Sequence, residues 1–380
     1  SRAVSRALLS KFVMLDGSGS VDLRRLDAPR EHSHRPGRHV SYAMNDTDDG
    51  KTRKRVLSGI QPTGEVHLGN YLGALRQWVH MQDEFECFYS IVDQHAILGE
   101  GDPADLPART LDMAISILAV GVDPERCTLF VQSDVREHVE LAWLFNTVAP
   151  VGDLERMTQY KDKSQRYDSI PVGLLNYPVL QAADILIYRA DAVPVGEDQR
   201  QHLELTRDIA RKWNARYGEY FPEPGAIIPE VGRIKGLDGE AKMSKSLGNT
   251  VSVLADGEEV WERVRTAVTD PQRVRRDDPG RPEVCNVFTL HKLMTDPSLI
   301  LDIEEQCRAG TRGCVDCKRM LAESLASEFA PFRERAEYLR AHPTDVRDVL
   351  EAGADRARAV AQETLAEARS RMGLCWRSAL

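Results

Sequence analysis

The chain has 380 residues, of which 42% are hydrophobic, so it is long enough for two compact domains with a sizeable core. Its formal net charge of -9 argues against a general nucleic-acid coat protein, because a polyanionic partner would need a local basic surface. Its longest apolar runs are far shorter than the about 20 residues that a membrane-spanning helix needs, so no membrane span is predicted.

The first 52 residues are rich in Arg, Ser, His and Gly and show no sustained helical or alternating apolar period. They are predicted to form a poorly ordered extension. A transit peptide is the alternative, although acidic residues such as Asp16, Asp22 and Glu31 are unusual in such acid-poor peptides. Met44 is a second candidate for the start of translation.

From residue 53 onward, strand-like apolar runs alternate with amphipathic segments. In chain order we predict strand 55–59, helix 70–82, strand 87–92, helix 111–120, strand 128–131, helix 139–146, helix 177–187, strand 193–195 and helix 199–217. This alternation predicts an α/β fold with a Rossmann-like, doubly wound parallel sheet over residues 53–248. Residues 249–380 carry many charges and almost no strand pattern, which predicts a helical domain whose last helices can pack back on the first domain.

A glycine-rich segment, residues 59–74, lies between the first predicted strand and the first predicted helix. Its glycines allow a sharp turn and a close approach to a ligand, and the helix start near Asn70 offers free N–H groups to a phosphate. The segment therefore predicts a nucleotide site. Taken alone, an ordinary connection between a strand and a helix explains it equally well.

A second segment, Lys-Met-Ser-Lys-Ser at residues 242–246, follows the loop-like Gly-Leu-Asp-Gly of residues 236–239. Lysines on a mobile loop can follow the charge that develops on a pyrophosphate leaving group and stabilise the transition state more than the ground state. A solvated surface loop is the alternative. The two segments together favour chemistry on a nucleoside triphosphate.

These segments carry a resemblance to a known family. His67-Leu-Gly-Asn70 resembles the HIGH signature, with Asn in the last place, and residues 242–246 match the KMSKS signature of class I aminoacyl-tRNA synthetases. Residues 58–77, 91–97, 154–161 and 194–208 resemble the tryptophanyl enzymes of that class, and the similarity extends from about residue 54 to the C-terminus. The resemblance implies a homodimer that activates tryptophan with ATP and transfers it to tRNA(Trp).

The resemblance also implies an ATP site and a mechanism that uses positioning and charge rather than a covalent nucleophile. The implied catalytic residues are Asn70, Lys242, Ser244 and Lys245. Mg²⁺ on the phosphates is implied by the chemistry. The implied ATP-binding residues are Gln61, Pro62, Thr63, Gly69, Asn70, Gly196, Glu197, Asp198, Ile234, Lys242, Met243, Ser244, Lys245 and Ser246.

The amino-acid pocket is predicted from Tyr177, Gln181 and Asp184, whose spacings of four and three place them on one helix face. A buried carboxylate at Asp184 can accept a hydrogen bond from an indole N–H, and a substrate without that donor would leave it unpaired. A carboxylate in a structural network is the alternative. The candidates for binding the amino group are Tyr177 and Gln199, and those for bordering the cavity are His95 and Gln94.

Two positions depart from the bacterial tryptophanyl pattern, which commonly has Met at the position of Gln181 and an aromatic residue at that of Leu57. The pocket is therefore expected to be more polar than usual. Because Gln181 is shared with tyrosyl enzymes, tyrosine is the nearest alternative substrate. A synthetase-like protein with an added binding or regulatory role is a further alternative, although Lys242 and Lys245 argue against lost catalysis.

Seven cysteines without a secretory signal predict a reducing compartment, here the cytoplasm, and thiols or metal ligands rather than a disulfide framework. Cys285, Cys307, Cys314 and Cys317 lie in the helical part and could form a tetrathiolate site for zinc or an iron–sulfur cluster. Their intervals of 21, 6 and 2 intervening residues resemble a subset of tryptophanyl synthetases that hold a [4Fe–4S] cluster near the anticodon-binding region. The cluster is therefore preferred over zinc.

The helical domain is expected to hold the tRNA with the help of basic side chains. Most surface arginines are simply solvated, so the individual candidates are weak predictors. The candidates are Arg263, Arg265, Arg273, Arg275 and Arg276.

Overall fold

The computed structural model describes residues 53–99, 101–196, 199–228, 231 and 234–376. The predicted extension at residues 1–52, the predicted ATP-binding residues Glu197 and Asp198, and the side chain of Ser246 lie outside the described part. Contacts group residues 53–380 as a single compact unit. The division into domains at residues 248 and 249 stays a prediction.

Among the described residues, five strands form one parallel sheet in the order β3-β2-β1-β4-β5. The register of its centre pairs Arg55 with Glu86 and Ile60 with Ile91. The order reverses between β1 and β4, which leaves a crevice at the carboxyl ends of these strands, and the predicted doubly wound sheet is confirmed. The strands are β1 (Arg55–Ile60), β2 (Glu86–Ile91), β3 (Thr128–Val131), β4 (Ala192–Pro194) and β5 (Gly225–Ile227).

Helices cover both faces of the sheet. Along β2, Cys87, Tyr89 and Ile91 pack in one apolar cluster and Phe88 packs in the other, as alternation along a strand buried on both sides requires. The helix α1 runs through Leu68–Asn70, a π-helical turn at Tyr71–Leu75, and Arg76–Met81. The others are α2 (Asp93–Ala96), α3 (Leu106–Ala119), α4 (Glu137–Asn146), α5 (Val151–Glu155), α6 (Thr158–Ser164), α7 (Val172–Leu186), α8 (Arg200–Tyr217), α9 (Gly257–Val264), α10 (Asn286–Met294), α11 (Pro297–Arg308), α12 (Cys314–Ala341) and α13 (Pro343–Arg371).

The first residue of a helix was harder to predict from the sequence than the presence of the helix. The apolar run predicted a helix from residue 111, whereas α3 begins at Leu106. Asp102 caps a 3-10 turn just before it, accepting a hydrogen bond from the backbone N–H of Ala104 at 2.9 Å. The helix therefore starts at this polar cap, and the apolar run marks only its buried half.

The last helix lies directly against the sheet. A Cβ atom at Gly353 of α13 would stand 1.7 Å from the carbonyl oxygen of Leu129 in β3, so only glycine allows this approach. The helix thereby covers β3, which is one of the two edge strands among the described residues. Within the described residues, no helix combines the length and the apolar character needed to cross a membrane.

Candidate active site

The first feature of the site is the cap at the start of α1. His67 Nδ1 accepts a hydrogen bond from the backbone N–H of Asn70 at 3.3 Å, and Asn70 Oδ1 accepts one from the backbone N–H of His67 at 3.3 Å. This reciprocal capping box fixes both side chains at the helix start. Asn70 thus has a structural reason to stand in the last place of the signature.

The two sequence signatures lie in contact. The backbone N–H of Gly69 points at the Sδ atom of Met243 at 3.2 Å, and a Cβ atom at Gly64 would stand 2.9 Å from Lys245 Nζ. The chain just after the second signature also returns to the first, because the backbone N–H of Leu68 donates to the carbonyl of Val251 at 2.8 Å. Lys245 of the loop therefore lies over the turn that precedes α1.

The side chain of Asn249 forms hydrogen bonds that hold the loop carrying Lys242 and Lys245. Its Oδ1 accepts a hydrogen bond from the backbone N–H of Ser244 at 2.8 Å, and its Nδ2 donates to Asp238 Oδ2 at 2.6 Å and to the carbonyl of Lys242 at 3.3 Å. The side chain is 6% exposed. The backbone N–H of Met243 donates to the carbonyl of Ile234 at 3.1 Å. Ile234, one of the predicted ATP-binding residues, therefore also contacts this loop.

The loop lysines set the electrostatics of the helix start. Burial, together with the charges of Lys245 and Lys242, lowers the pKa of His67 from 6.5 to about 4. Burial also lowers the pKa of Lys245. The imidazole is therefore neutral near pH 7, and the positive charge at this place comes from the lysines, which suits an anionic ligand.

The other predicted ATP-binding residues lie at the crevice where the strand order reverses. Gln61, Pro62 and Thr63 form the turn after β1, in which the backbone N–H of Thr63 donates to the carbonyl of Gln61 at 2.8 Å. Gly196 follows the neighbouring strand β4, and its carbonyl accepts from the backbone N–H of Gln199 at 3.0 Å. Both segments thus stand at carboxyl ends of adjacent strands, where open α/β sheets bind ligands.

Asp184 is the centre of a buried network. Its Oδ2 lies 2.8 Å from His95 Nε2, its Oδ1 lies 2.6 Å from His138 Nδ1, and Gln132 Nε2 donates to both oxygens at 2.9 and 2.8 Å. Burial acts to raise the pKa of Asp184, but the hydrogen bonds from His138 and His95 outweigh it and hold the pKa below its usual range. Asp184 is therefore an anion, and both histidines donate to it. The remaining ring nitrogen of His138 lies 2.6 Å from the hydroxyl of Tyr188.

The rest of the predicted amino-acid pocket surrounds this network. The hydroxyl of Tyr177 lies 2.9 Å from His202 Nε2 and donates to Gln159 Oε1 at 3.1 Å. Gln181 Nε2 donates to Gln199 Oε1 at 3.4 Å, and the rings of Tyr177 and His95 meet edge to face at 6.3 Å. The structure thus brings together five of the six predicted residues, Tyr177, Gln181, Asp184, Gln199 and His95.

Sequence reasoning missed three residues of the site, Gln132, His138 and Asn249. Gln132 directly follows β3, and its place at the carboxyl end of a parallel strand was the one signal that could have found it. Asn249 lies only five to eleven residues from Ser244, Lys242 and Asp238, but in an irregular loop this spacing predicts no contact. His138 carries no spacing signal, because its partners are distant in the chain. Asp184 follows His138 by 46 residues.

Four thiols line one small cavity in the helical part. Cys285 precedes α10, Cys307 belongs to α11, and Cys314 and Cys317 lie in the first turn of α12. Burial raises the pKa of Cys285 and Cys307, and that of Cys317 to about 12. The guanidinium groups of two arginines, Arg273 and Arg312, line the same cavity.

These thiols do not fit a single metal ion in their present arrangement. Within the part of the chain that the structure describes, no group of three or more Cys, His, Asp or Glu side chains is placed to hold one. A tetrahedral zinc site, with Zn–S bonds of about 2.3 Å, needs its sulfurs close together.

The predicted tRNA-contacting arginines are mostly engaged within the protein. Arg263 donates to the carbonyl of Gly248 at 3.4 Å, Arg265 pairs with Glu262 at 2.7 Å, and Arg276 pairs with Asp316 at 3.4 Å. Arg273 donates to the carbonyl of Arg276 at 2.7 Å. Exposed pairs of this kind are weak and leave the charge accessible to a phosphate.

Several known proteins are similar to this chain in sequence and in structure. A family model described as tRNA synthetases class I (W and Y) matches residues 49–330. The chain is 51% identical to a tryptophan–tRNA ligase of Deinococcus radiodurans, covering 84% of this chain and 98% of that relative. It is 48% identical to tryptophan–tRNA ligase 2 of Streptomyces avermitilis, covering 84% and 97% of the two chains. A crystal structure of tryptophanyl-tRNA synthetase from Campylobacter jejuni, complexed with ADP and tryptophan, is similar with a TM-score of 0.77 and 38% identity, covering 84% and 99%.

Proposed function

The chain belongs to the tryptophanyl-tRNA synthetases of class I, and from this premise we propose that it activates L-tryptophan with ATP and transfers it to tRNA(Trp). The observation that carries the proposal is the contact of the two signatures, Gly69 with Met243 and Gly64 with Lys245. In this contact Lys245 lies beside the turn that leads into α1, at the crevice of the sheet. The buried network around Asp184 supplies a neighbouring pocket for an amino acid.

The proposed chemistry has two steps. In the first, a carboxylate oxygen of tryptophan forms a bond to the α-phosphorus of ATP, and pyrophosphate leaves with the electron pair of the broken P–O bond. In the second, a hydroxyl at the 3′ end of the tRNA attacks the carbonyl carbon of the adenylate, and AMP leaves. Neither step needs a side chain as nucleophile, so the chain contributes positioning and charge stabilisation.

The lysines would act on the leaving group. Lys242 and Lys245 would stabilise the negative charge that develops on pyrophosphate, with Ser244 as a further donor. Mg²⁺ bound to the phosphates would supply additional positive charge there. Because Asn249 holds the backbone of this loop, the ammonium groups start from a defined position.

The nucleotide itself would lie along the crevice. The turn of Gln61, Pro62 and Thr63 would meet the phosphates together with the start of α1 at Gly69 and Asn70. The segment after β4, which contains Gly196 and continues into Glu197 and Asp198, would contact the ribose. Ile234 and Met243 would lie against the adenine ring. Ser246 would be a further residue of the ATP site.

In the amino-acid pocket, Tyr177 and Gln199 would hold the amino group of the substrate. Gln181 donates to Gln199 and would orient its amide. Asp184 and His95 would border the indole ring. Tyrosine is the alternative substrate, since Gln181 and Asp184 are shared with tyrosyl enzymes.

Amino-acid-dependent exchange between ATP and pyrophosphate tests the proposal directly. Purified protein should catalyse exchange with tryptophan and should do so far more slowly with tyrosine. Single-turnover aminoacylation with tRNA(Trp) should then transfer the amino acid. Faster exchange with tyrosine would replace the substrate, and exchange without transfer would favour a synthetase-like protein with another role.

For the helical part we propose anticodon recognition and a [4Fe–4S] cluster held by Cys285, Cys307, Cys314 and Cys317, with zinc as the second choice. The support is the shared cavity with Arg273 and Arg312, whose charges suit a thiolate-ligated cluster. When bound, the cluster would tie α10, α11 and α12 together. Iron and acid-labile sulfide analysis of anaerobically purified protein, with a zinc determination on the same sample, tests both choices.

We also propose that the protein is a homodimer and that it is located in the cytoplasm. Trp143 of α4 is 70% exposed, and Val139 on the same helix is 49% exposed, which is unusual for large apolar side chains. Val151 at the start of α5 is 58% exposed and adds to this surface. None of the seven cysteines, all of which lie in the described part of the chain, forms a disulfide bond, which is consistent with a reducing compartment. Sedimentation of the wild type and of Trp143→Glu should give a dimer and a monomer, respectively.

A further inference from the structure

We propose that Asn286 is a positioning residue for tryptophan activation: its amide anchors the turn of residues 236–239, and α10 thereby holds the lysine loop, residues 242–246, in place relative to α1. The inference rests on the proposed activation of tryptophan and names a residue that acts on it through the loop. Three features carry it: the hydrogen bond of Asn286, the connection between the turn and the lysine loop, and the contact of α10 with α1.

Asn286 holds the turn through one backbone carbonyl. Its Nδ2 donates to the carbonyl oxygen of Gly236 at 2.8 Å, although the two residues are 50 positions apart in the chain. The same oxygen accepts the backbone N–H of Gly239 at 2.9 Å, which is the bond that closes the turn. A carbonyl oxygen has two lone pairs, so Asn286 occupies the acceptor site that the turn itself leaves open.

The side chain of Asn286 also packs against the other end of the turn. Gly239 has a φ of +74°, and a Cβ atom built there would stand 3.6 Å from the Cβ atom of Asn286. Asn286 is 8% exposed. Its amide and its stem thus contact both ends of the turn in a buried place, where water cannot easily replace the lost hydrogen bond.

The turn passes its position to the lysine loop. The backbone N–H of Gly236 donates to the carbonyl of Ala241 at 2.8 Å, and Lys235 pairs with Lys242 in an antiparallel bridge. Lys242 therefore belongs to a short hairpin that starts at the anchored residue. Because the hairpin is hydrogen-bonded within itself, a displacement of the turn would also move Lys242.

The chain after the lysine loop is tied directly to the first signature. The carbonyl of Val251 accepts the backbone N–H of Leu68 at 2.8 Å, and the backbone N–H of Val253 donates to the carbonyl of Val66 at 3.1 Å. Asn286 supplies the corresponding support before the lysines. The loop is thus held on both sides.

The helix α10 reaches from the turn to α1. It has nine residues and is about 13 Å long. Near its end, the carbonyl of Leu293 accepts a hydrogen bond from Arg76 Nη1 of α1 at 3.4 Å. Between these ends, Val287 and Leu290 are buried in the same apolar cluster as Leu72 of α1. The helix therefore braces the lysine loop against the helix that carries the first signature.

Substitution of Asn286 tests the anchor by kinetics. Asn286→Ala should lower kcat of tryptophan-dependent pyrophosphate exchange about tenfold. The KM for tryptophan should change less than about twofold, because the network around Asp184 belongs to α2, α4, α7 and the end of β3 rather than to α10. Asn286→Asp keeps the shape of the side chain, but an ionised carboxylate cannot donate, so kcat should fall equally. A wild-type kcat in either variant would overturn the inference.

A double-mutant cycle with Lys242 shows whether Asn286 acts through the loop. Once Lys242 is replaced by alanine, the position of the hairpin matters less for catalysis. The cost of Asn286→Ala should therefore fall from about tenfold to about threefold or less in the Lys242→Ala background. A merely structural role would slow both backgrounds by the same factor, and this result would overturn the inference.

Asn214→Ala is the matched control. Asn214 is 7% exposed, and its Nδ2 donates to the carbonyl of Phe221 at 2.8 Å, so its burial and its bond resemble those of Asn286. The control should lower the melting temperature and leave kcat at the wild-type value. An equal loss of kcat in the control would show that lost stability explains both variants.

Hydrogen–deuterium exchange of backbone amides provides a readout that needs no catalysis. In the wild type, Gly236, Met243 and Ser244 should be protected, since their N–H groups are hydrogen-bonded. Asn286→Ala should speed deuterium uptake at these amides about tenfold and leave β2 unchanged. Unchanged uptake in the variant would overturn the inference. Absence of tryptophan-dependent pyrophosphate exchange in the wild type would instead overturn the proposed function, while the anchoring of the loop would stand.

Discussion

The side chain of Asn249 holds the backbone of Ser244, its Oδ1 accepting the N–H of that residue at 2.8 Å. The same amide donates to the carbonyl of Lys242 and to Asp238, and a Cβ atom at Gly236 would stand 2.0 Å from its Nδ2. One buried side chain therefore fixes the segment between the two lysines. The loop that the sequence presents as mobile has a defined anchor in this structure.

This anchor predicts an effect of Asn249→Ala on catalysis. Because the substitution releases the loop backbone, kcat of tryptophan-dependent pyrophosphate exchange should fall about tenfold or more, which corresponds to the loss of one or two hydrogen bonds. The matched control is Asn214→Ala, since Asn214 is 7% exposed and binds the backbone of Phe221 far along the chain from this loop. The control should lower only the melting temperature. If both variants lost stability alone, the anchoring role would be wrong.

The loop lysines predict a loss of transition-state stabilisation. Lys245→Ala should reduce kcat of pyrophosphate exchange by about a hundredfold to a thousandfold, the range seen when one charge-stabilising donor is removed. Lys242→Ala should act in the same direction. Lys212→Ala serves as control, because Lys212 forms a surface ion pair with Asp153 at 2.7 Å. Adenylate formation at the wild-type rate in both loop variants would refute the assigned role.

The histidine at the start of α1 predicts a linked titration. The pKa of His67 is lowered to about 4 by burial and by Lys245 and Lys242, so Lys245→Ala should raise this pKa toward 6.5. Because the unfolded chain binds the proton at higher pH than the folded one, His67 makes the folded state less stable as pH falls from 6.5 to about 4. NMR titration of His67 in both proteins measures the shift. An unchanged pKa of His67 in the variant would show that Lys245 does not contribute to the shift.

The contact of α13 with β3 predicts a position where alanine is not tolerated. Gly353→Ala would press a methyl group against the carbonyl oxygen of Leu129, and we expect a loss of about 2 kcal/mol or more in the free energy of unfolding. Gly257→Ala is the control, since its added Cβ would lie 3.8 Å from the nearest atom, in Ala326. Urea denaturation of both variants measures the difference. Equal stability of the two would mean that the helix can shift away from the strand.

Local features of the sequence were sufficient for the fold class and for most of the site. The apolar runs of β1, β2 and β3 are short and buried on both sides, and the spacing of Tyr177, Gln181 and Asp184 places them on one helix face wherever that helix packs. The two signatures are contiguous stretches, so their residue types alone predict phosphate chemistry. Each of these inferences concerns residues within a few turns or one strand of each other.

Contacts between distant residues were decided only by the tertiary structure. Gly69 and Met243 meet across 174 positions, and Gln132 and Asp184 across 52, distances along the chain from which no spatial separation can be calculated. The hydrogen bonds of the Asp184 carboxylate likewise form only when α2, α4 and the turn after β3 pack against α7. Sequence spacing determines the relative positions of side chains only within one regular helix or strand. Beyond it, the packing of the core determines which side chains form hydrogen bonds with each other.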